Sequence, residues 1–336
     1  MTEVLALRAL GLGDLLASVP ALRGLRRAWP GARVTLAAPL LLARWLCDLD
    51  VVDDVAEVPG LEAAARLRGR SRPDVAVNLH GRGPQSHRAL LGLEPARLVA
   101  FACPAAGHVD GPPWSAGEHE VDRWIRLVGS AGSAPSVDEL RLPAQGPRRE
   151  HVVVHPGAAA ASRRWPAERW AAVAAALAGD GHPVVVTGTP PEAGRCAAVV
   201  AGAGAGLEDR CGRDDLPALA ELVGTAALVL SADTGVAHLA TAFGTPSVTL
   251  FGPVSPVLWG PRIDPHVHRV LWRGDEATPV PGNPHGPVLD ARLQALSVRE
   301  VLDEARAVLR RRGVAAQPWP AAAREAPSPS ADAARS

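Results

Sequence analysis

Residues 231–253 read SADTGVAHLATAFGTPSVTLFGP, and this stretch carries the pattern that decides the fold. The apolar run Leu228 to Leu230 leads into it, Asp233-Thr234-Gly235 form a polar turn, and a helical pattern follows at once. A strand–turn–helix unit points several backbone N–H groups at one place, where the helix dipole attracts an anion such as phosphate. The same residues also fit an ordinary turn with Asp233 as the N-cap of the helix, so both interpretations stay open.

Strands and helices alternate on both sides of this unit. Short apolar runs, typical of buried parallel strands, are each followed by a segment with helical periodicity. The sequence therefore predicts an α/β fold with parallel sheets. The expected strands include 4–10, 33–38, 74–79, 151–155, 183–187 and 227–230.

The alternation is interrupted between residues 129 and 150, where Gly, Ser, Pro and charged residues replace the periodic pattern. We interpret this segment as a connection between two Rossmann-like domains, expected at 1–140 and 150–296. A helix is predicted at 297–312, and the Ala/Pro/Ser-rich tail at 313–336 is expected to be disordered. The Pro/Gly-rich segment 273–287 receives no role from its sequence.

The composition excludes several function classes. With 336 residues and 47% apolar content, the chain can bury the cores of two domains. The 35 Lys+Arg residues balance the 35 Asp+Glu residues, which argues against a nucleic-acid partner. Every one of these basic residues is Arg, so a Walker-A loop, a Schiff base and a pyridoxal anchor are excluded. Phosphate has to be bound by Arg, by backbone N–H groups, or by both.

Other sequence signals favour a cytoplasmic protein without a metal or a cofactor. Four scattered cysteines without a CxxC motif indicate reduced thiols, and no apolar run approaches the length of a membrane span. The amino terminus lacks the basic region of a signal peptide. Asp48-Leu49-Asp50 resembles a metal-binding acidic pair, but no partner ligand stands at usable spacing, and we interpret it as a chance match.

The turn after the first predicted strand contains Gly11-Leu12-Gly13-Asp14. Its glycines supply two positions of a dinucleotide fingerprint, but Leu16 stands where the third glycine is needed. Asp14, at the carboxyl end of a strand, is a candidate general base. The alternative is an N-cap of the following helix, and the two roles can coexist.

Further candidates follow other predicted strands. Arg163 and Arg164 precede a helix in a turn of small residues, and their guanidinium groups suit a diphosphate, although a solvated basic turn is the better explanation for the pair taken alone. Glu192, shortly after Gly188, could accept hydrogen bonds from ribose hydroxyls or act as a helix-start charge. His80 follows the strand at 74–79. His238 lies on the helix after Asp233, where a lone histidine is more often structural than catalytic.

Four segments together resemble glycosyltransferase family 9, the ADP-heptose:lipopolysaccharide heptosyltransferases. They are GLGDLLASVPALRGLRRAWPGARV (11–34), HPGAAAASRRWPAERWAAV (155–173), VVVTGTPPE (184–192) and SADTGVAHLATAFGTPSVTLFGPVSPVLWGP (231–261). The similarity extends to about Leu309 and is strongest after His151. The amino-terminal domain matches mainly through its Gly-Asp turn.

The resemblance implies a GT-B fold, in which two Rossmann-like domains face each other across a cleft. It implies metal-independent, inverting transfer of a sugar, heptose-like and carried by ADP, to a hydroxyl of a glycan or glycolipid in lipopolysaccharide biosynthesis. It also allows peripheral contact with the inner membrane surface through the acceptor, and it implies a helix from Ser297 that braces the amino-terminal domain. Asp14 then corresponds to the catalytic base, beside Gly11, Gly13 and His80 on the acceptor side.

The donor nucleotide-sugar site implied by the resemblance contains two further groups of residues. Arg163 stands where relatives often have a phosphate-binding Lys, with Arg164 beside it, and Glu192 after Gly188 matches a ribose-contacting carboxylate. Asp233, Thr234, Gly235 and His238 match the loop that holds the donor sugar and diphosphate. An NAD(P)-dependent oxidoreductase and a catalytically silent nucleotide-sugar-binding protein remain alternatives. The sequence leaves the sugar, the base, the acceptor and the oligomeric state open.

Overall fold

The computed structural model describes residues 1–204, 206–275, 282–311, 317 and 319. Within these residues, the strands form one five-stranded and one six-stranded sheet, both parallel. The first sheet contains β1 (Glu3–Leu7), β2 (Arg33–Ala38), β3 (Asp54–Glu57), β4 (Val75–Asn78) and β5 (Arg97–Val99). The second contains β6 (Val152–His155), β7 (Val184–Val186), β8 (Leu207–Asp209), β9 (Leu228–Ala232), β10 (Ser247–Leu250) and β11 (His268–Leu271).

Helices connect the strands in both halves of the chain. In the amino-terminal half they are α1 (Leu12–Ala17), α2 (Val19–Ala28), α3 (Leu40–Asp48), α4 (Gln85–Leu91) and α5 (Glu120–Gly129). In the carboxy-terminal half they are α6 (Ala167–Gly179), α7 (Ala193–Ala203), α8 (Leu216–Thr225), α9 (Gly235–Ala242), α10 (Pro256–Trp259), α11 (Ala291–Gln294) and α12 (Val298–Arg310). Short 3-10 helices lie at Leu61–Gly69, Pro104–Ala106, Val137–Leu140, Ala161–Arg163 and Pro190–Glu192.

The strand orders are β3-β2-β1-β4-β5 and β11-β10-β9-β6-β7-β8. Both orders reverse direction beside the first strand of their domain, as in Rossmann folds, and ligands bind at this switch point outside the carboxyl ends of the strands. The predicted α/β fold with two Rossmann-like domains is confirmed. The turns after β1, β6 and β9 therefore lie at the edges where a ligand is expected.

One apolar core extends through both domains. Val4 and Leu36 of the first sheet belong to the same buried cluster as Val153 and Val229 of the second, with α8 and α9 residues such as Leu222 and Leu239 between them. On its other face the second sheet packs against Trp165 and helices α6, α7 and α12. The two domains consequently share buried surface instead of being joined only by the connecting segment.

The helical segment after β1 is divided into α1 and α2 at Ser18. Ser18 is both the C-cap of α1 and the N-cap of α2, and its hydroxyl donates to the Leu15 carbonyl at 2.6 Å. Pro20 lies in the first turn of α2, where its missing N–H leaves no helical hydrogen bond unmade. The break leaves α1 as a short helix whose amino terminus faces the second domain.

The predicted final helix forms, but the expectation that it braces the amino-terminal domain is wrong. Val301, Ala305 and Val308 of α12 are buried in the core of the carboxy-terminal sheet, and Arg306 binds Asp180 at the end of α6 at 2.7 Å. Helix α12 packs on its own domain because its apolar stripe covers the face of β9 and β10 that α6 leaves open.

Parts of two predicted segments lie outside the described residues, namely 276–281 of the segment 273–287 and most of the tail 313–336. Gln317 and Trp319 of the tail are described, and both contact the carboxy-terminal domain. The Gln317 backbone pairs with Arg149, and the Trp319 indole donates to Glu208 at 3.1 Å while packing 4.0 Å from the His151 ring. At these two positions the expectation of disorder is wrong.

Among the residues described above, no helix is both long enough and apolar enough to cross a membrane.

Candidate active site

A cleft of about 570 Å³ lies between the carboxyl ends of the two sheets, a volume within the usual range for sites that bind small molecules. Its walls come from both domains. The lining residues are Leu10, Gly11, Leu12, Gly13, Asp14, His155, Ala158, Ala159, Arg163, Thr189, Glu192, Leu219, Asp233, Thr234, Gly235, Val236, His238, Val254, Trp259, Pro284 and His285.

Asp14 lies in the first turn of α1 on the amino-terminal wall. Arg8, which follows β1, donates from Nη2 to Asp14 Oδ1 at 3.3 Å and from Nε to the Asp14 carbonyl at 2.9 Å. Burial raises the pKa of Asp14, and the Arg8 guanidinium opposes part of that effect. About a third of the side chain remains exposed to the cleft, so the carboxylate can reach a bound molecule. A carboxylate in this setting is suited to accept a proton.

The opposite wall is the turn between β9 and α9. Helix α9 begins at Gly235 with Thr234 as its N-cap, and not after Asp233 as the ordinary-turn interpretation predicted. The Thr234 hydroxyl is buried and has no hydrogen-bond partner among the residues that the structure describes. Asp233 is buried as well, with Oδ1 3.7 Å from His238 Nε2. A helix amino terminus with an unused hydroxyl is suited to hold an anion.

Arg163 extends this wall beside the amino terminus of α9. Its Nη1 donates to the Asp233 carbonyl at 3.1 Å, so the guanidinium is fixed to the same turn. Its Nε is buried and lacks a partner within the described part of the chain. An unpaired donor on a cation beside a helix amino terminus favours a phosphate oxygen as the missing partner.

Arg164 is placed differently from its neighbour. Its Nε donates to the Ala158 carbonyl at 2.8 Å and its Nη2 to the Ala159 carbonyl at 3.0 Å. The side chain thereby stabilises the turn after β6, and it is absent from the described lining of the cleft. The expectation that both arginines face the diphosphate is wrong for Arg164, because the backbone carbonyls of its own turn bind the guanidinium.

Glu192 lies at the end of the cleft formed by the turns after β6 and β7. Its Oε2 accepts from the Thr189 N–H at 2.8 Å and from the Thr189 hydroxyl at 2.7 Å, which makes a capping box. The carboxylate packs on Gly157, where any side chain would collide with it. His155 is buried beside them, its Nδ1 3.0 Å from the Thr187 hydroxyl, and burial lowers its pKa.

Two glycines let the domains meet at the cleft. A Cβ on Gly13 would lie 2.6 Å from the His238 ring, and a Cβ on Gly235 would lie 2.9 Å from Leu12 Cβ. Helices α1 and α9 therefore approach each other through Gly13 and Gly235. In this structure Gly13 serves the contact with His238, whereas a dinucleotide fingerprint would use that glycine to admit a pyrophosphate.

Two more predicted site residues, Gly188 and His80, lie away from the described lining. Gly188 is required for packing, because a Cβ there would lie 2.5 Å from Cys196 Sγ and 2.9 Å from Cys211 Sγ. His80 lies near Arg8 at the end of β4, and burial together with the Arg8 charge lowers its pKa to about 4. Its Nδ1 is buried and finds no partner in the described ranges.

Several lining residues were missed by sequence reasoning. They are His155, Thr189, Trp259, Pro284 and His285, together with the apolar Leu219 and Val254. His155 could have been found, since it is the last residue of β6 in the same way that Asp14 follows β1. Trp259, whose ring packs 5.7 Å from the His238 ring, and His285 come from segments without a periodic pattern.

Within the described residues, no three His, Cys, Asp or Glu side chains are grouped so that they could hold a metal ion. The four cysteines are all free, as expected from their spacing.

Comparison with known proteins agrees with this geometry. The model of glycosyltransferase family 9 (heptosyltransferase) matches residues 130–278, which include the turns after β6, β7 and β9. Lipopolysaccharide heptosyltransferase 1 of Pseudomonas aeruginosa is 26% identical over 315 residues, which cover 79% of this chain and 83% of the relative. The chain is a glycosyltransferase that resembles the heptosyltransferases of family 9.

Solved structures support the fold of this glycosyltransferase. Escherichia coli ADP-heptose lps heptosyltransferase II superposes with a TM-score of 0.74 at 20% identity, covering 92% of this chain and 98% of that chain. E. coli heptosyltransferase WaaC with ADP superposes with a TM-score of 0.68 at 21% identity, covering 91% and 100%. The predicted GT-B fold of the glycosyltransferase is confirmed, and the cleft described above is the space between its two domains.

Proposed function

We propose that this glycosyltransferase moves a heptose-like sugar from an ADP-linked donor to a hydroxyl of a glycan or glycolipid, with inversion at the anomeric carbon. The observation that carries the proposal is that one cleft has a proton acceptor on one wall and unpartnered hydrogen-bond donors on the opposite wall. Asp14 offers a proton acceptor on one wall, while Arg163 Nε and the Thr234 hydroxyl are buried and unpartnered among the described residues on the other.

The donor is assigned from this second wall. A diphosphate in front of α9 would meet the N–H groups of its first turn, the Thr234 hydroxyl and Arg163. The Glu192 carboxylate, at the neighbouring end of the cleft, suits ribose hydroxyls. ADP-heptose is the donor we favour, because solved relatives are described as complexes with ADP and with ADP-2-deoxy-2-fluoro heptose.

The proposed reaction is a single displacement. The Asp14 carboxylate takes the proton from the acceptor hydroxyl while the acceptor oxygen attacks the anomeric carbon on the face opposite the diphosphate. The bond to the diphosphate oxygen breaks, and the charge that develops on ADP is stabilised by Arg163 and the amino terminus of α9. Because a fixed cation and a helix dipole supply this stabilisation, we propose that transfer needs no metal ion.

The acceptor side is assigned more broadly. The amino-terminal wall contributes Asp14 and the Gly11-Leu12-Gly13 turn, which leave room for a hydroxyl-bearing molecule but do not select one. The relative from Pseudomonas aeruginosa is named for lipopolysaccharide. We therefore propose a lipopolysaccharide core or a similar glycolipid as acceptor, with the protein working at the inner membrane surface where such a molecule is presented.

The test is Asp14→Asn, assayed by ADP release from ADP-heptose with heptose-deficient lipopolysaccharide, with and without EDTA. Loss of the base is expected to lower kcat by about 10²- to 10⁴-fold while ADP affinity in calorimetry stays near that of the parent. Asp50→Asn is the matched control, because the Asp50 side chain is 90% exposed on the same domain and is not among the lining residues. Undiminished transfer by Asp14→Asn would refute the base assignment, and activity abolished by EDTA would refute metal independence.

A further inference from the structure

Arg8 is a fully buried arginine directly behind the proposed base. Besides its two contacts with Asp14, its Nη1 donates to the Leu79 carbonyl at 2.5 Å and its Nη2 donates to Glu120 Oε1 at 2.9 Å. The guanidinium also stacks over the Trp124 ring at 4.7 Å. Burying an unpaired arginine would be very costly, so the position of this cation depends on its partners.

Glu120 is the partner that holds Arg8 from the opposite side. It begins α5, is buried, and accepts a hydrogen bond from the Trp124 indole at 2.8 Å. Arg123, one turn further along α5, forms an ion pair with its second oxygen. Burial by itself raises the pKa of Glu120, but the charges of Arg8 and Arg123 outweigh that effect and lower it, so Glu120 is ionised.

We propose that Arg8, clamped by Glu120, is the positioning residue of the active site and that this pair fixes the orientation and the basicity of Asp14. This inference rests on the proposed role of Asp14 as the base. The fork shape of the guanidinium carries the argument, since one arginine binds both the main chain and the carboxylate of Asp14. A lysine could not bridge these groups in the same geometry.

Four charged or titratable groups face Asp14 from the elements packed around it. Arg8 from the end of β1, His238 from α9 and Arg163 from the turn before α6 lower its pKa, whereas Glu120 from α5 raises it. Glu120 therefore has two effects on the base, because it adds negative charge nearby and neutralises Arg8. Both effects keep Asp14 a stronger proton acceptor than it would be beside an unpaired arginine.

The decisive experiment is the pH profile of Glu120→Gln in the full-length enzyme, measured with ADP-heptose and heptose-deficient lipopolysaccharide. Removing the negative charge lowers the pKa of Asp14, so the acid limb of kcat should move to lower pH by about 0.5–1 unit. The plateau rate should fall several-fold because a weaker base removes the proton less readily. KM for the donor should stay unchanged, since the donor contacts lie on the other domain.

Glu118→Gln is the matched control. Glu118 stands two residues before Glu120 and binds Arg126 at 2.6 Å, and it is not among the charged groups that act on Asp14. Glu118→Gln removes a carboxylate from the same segment and breaks an ion pair that is more exposed than those of Glu120, without changing the field at the base. Its acid limb is expected to coincide with that of the parent enzyme, and an equal shift in both variants would overturn the inference.

Arg8→Lys separates the effect of Arg8 on the orientation of Asp14 from the effect of its charge. This variant tests the inference if Glu120→Gln does not fold. It keeps the cation but loses the fork, so kcat should fall at least tenfold with little movement of the acid limb. Parent kcat in Arg8→Lys, or a parent acid limb in folded Glu120→Gln, would overturn the inference. Failure of the base assignment is distinguishable, because it appears as an active Asp14→Asn.

Discussion

Arg163 and Arg164 are neighbours in the sequence with different partners in the structure. One guanidinium is fixed to the Asp233 carbonyl at the cleft, while the other binds the carbonyls of Ala158 and Ala159. The sequence pattern could not show which of the two arginines faces the cleft, because adjacent residues in an irregular turn have no fixed periodicity. The difference arises from the 3-10 helix Ala161–Arg163, which ends between the two side chains.

Arg163→Gln should weaken ADP binding by about 10- to 100-fold, because it removes the charge-assisted contact proposed for the diphosphate. AMP lacks the second phosphate, so its affinity should change less, and the preference for ADP over AMP should shrink. Calorimetric titration with both nucleotides measures this ratio.

Arg164→Gln is the paired variant. Because Arg164 stabilises the turn and does not line the described cleft, any loss should affect ADP and AMP alike. A selective loss of ADP affinity in Arg164→Gln, with none in Arg163→Gln, would contradict the assignment.

The residues that could be predicted lie in the segments between a buried strand and the helix that follows it, or in the first turn of that helix. Asp14 after β1, the Asp233-Thr234-Gly235 turn after β9 and Glu192 beyond β7 all line the cleft. Trp259 and His285 could not be predicted, because their positions depend on how the chain folds back across the domain and not on a local pattern. Arg8 was missed for another reason: it reads as an ordinary residue at a strand end, and only the burial of its partners shows its importance.

Among the elements, the contact of α1 with α9 depends on two glycines, Gly13 and Gly235, which have no side chain to keep the helices apart. Gly235 sits against Leu12 Cβ, a backbone-proximal atom that cannot rotate away, so a methyl group there must separate the helices. The strand–turn–helix patterns of both elements were predictable from the sequence. Their approach was not, because the spacing of glycines within one element does not show which other element packs on it.

Gly235→Ala should therefore lower kcat by about 10- to 100-fold through displacement of the donor turn from Asp14, while the circular dichroism spectrum stays that of the parent. Alanine favours helix, so the loss would not arise from an unstable α9. Gly129→Ala is the control, since Gly129 ends α5 with open space where its Cβ would be added. Parent activity in Gly235→Ala would show that the close approach is not needed for transfer.

The helix α12 shows what the sequence can and cannot determine about an element. The sequence predicted this helix at 297–312, and in the structure it begins after Ser297, which forms a capping box with Glu300. Its apolar stripe also indicated that one face is buried. The stripe does not identify the surface against which the helix packs, and in this structure that surface is the sheet of the same domain.

At the scale of the whole molecule, the two domains share one apolar core. The sequence predicted two domains from the interruption at 129–150, and the sheets bear this out. A shared core is invisible in such a pattern, since α8 and α9 read as helices that cover only their own sheet. Domains that share a large apolar contact are expected to unfold together.

Hydrogen exchange in increasing urea should therefore show β1 and β6 peptides losing protection in the same transition. Peptides from the 3-10 segment Leu61–Gly69, which is mostly exposed and buries only Ala64 and Leu67, should exchange earlier and serve as the local-opening control. Early loss of β1 protection with β6 intact would contradict a shared core.

The two walls of the cleft also bear on how the enzyme returns to its starting state. In the proposed reaction Asp14 and the diphosphate of the donor are both anions, so an occupied donor site strengthens the hold of Asp14 on a proton. Once ADP leaves, that repulsion ends while Arg8 remains, and the carboxyl group gives its proton to solvent more readily. Departure of the product and recovery of the base are thus thermodynamically coupled, and the enzyme would need no separate proton carrier between turnovers.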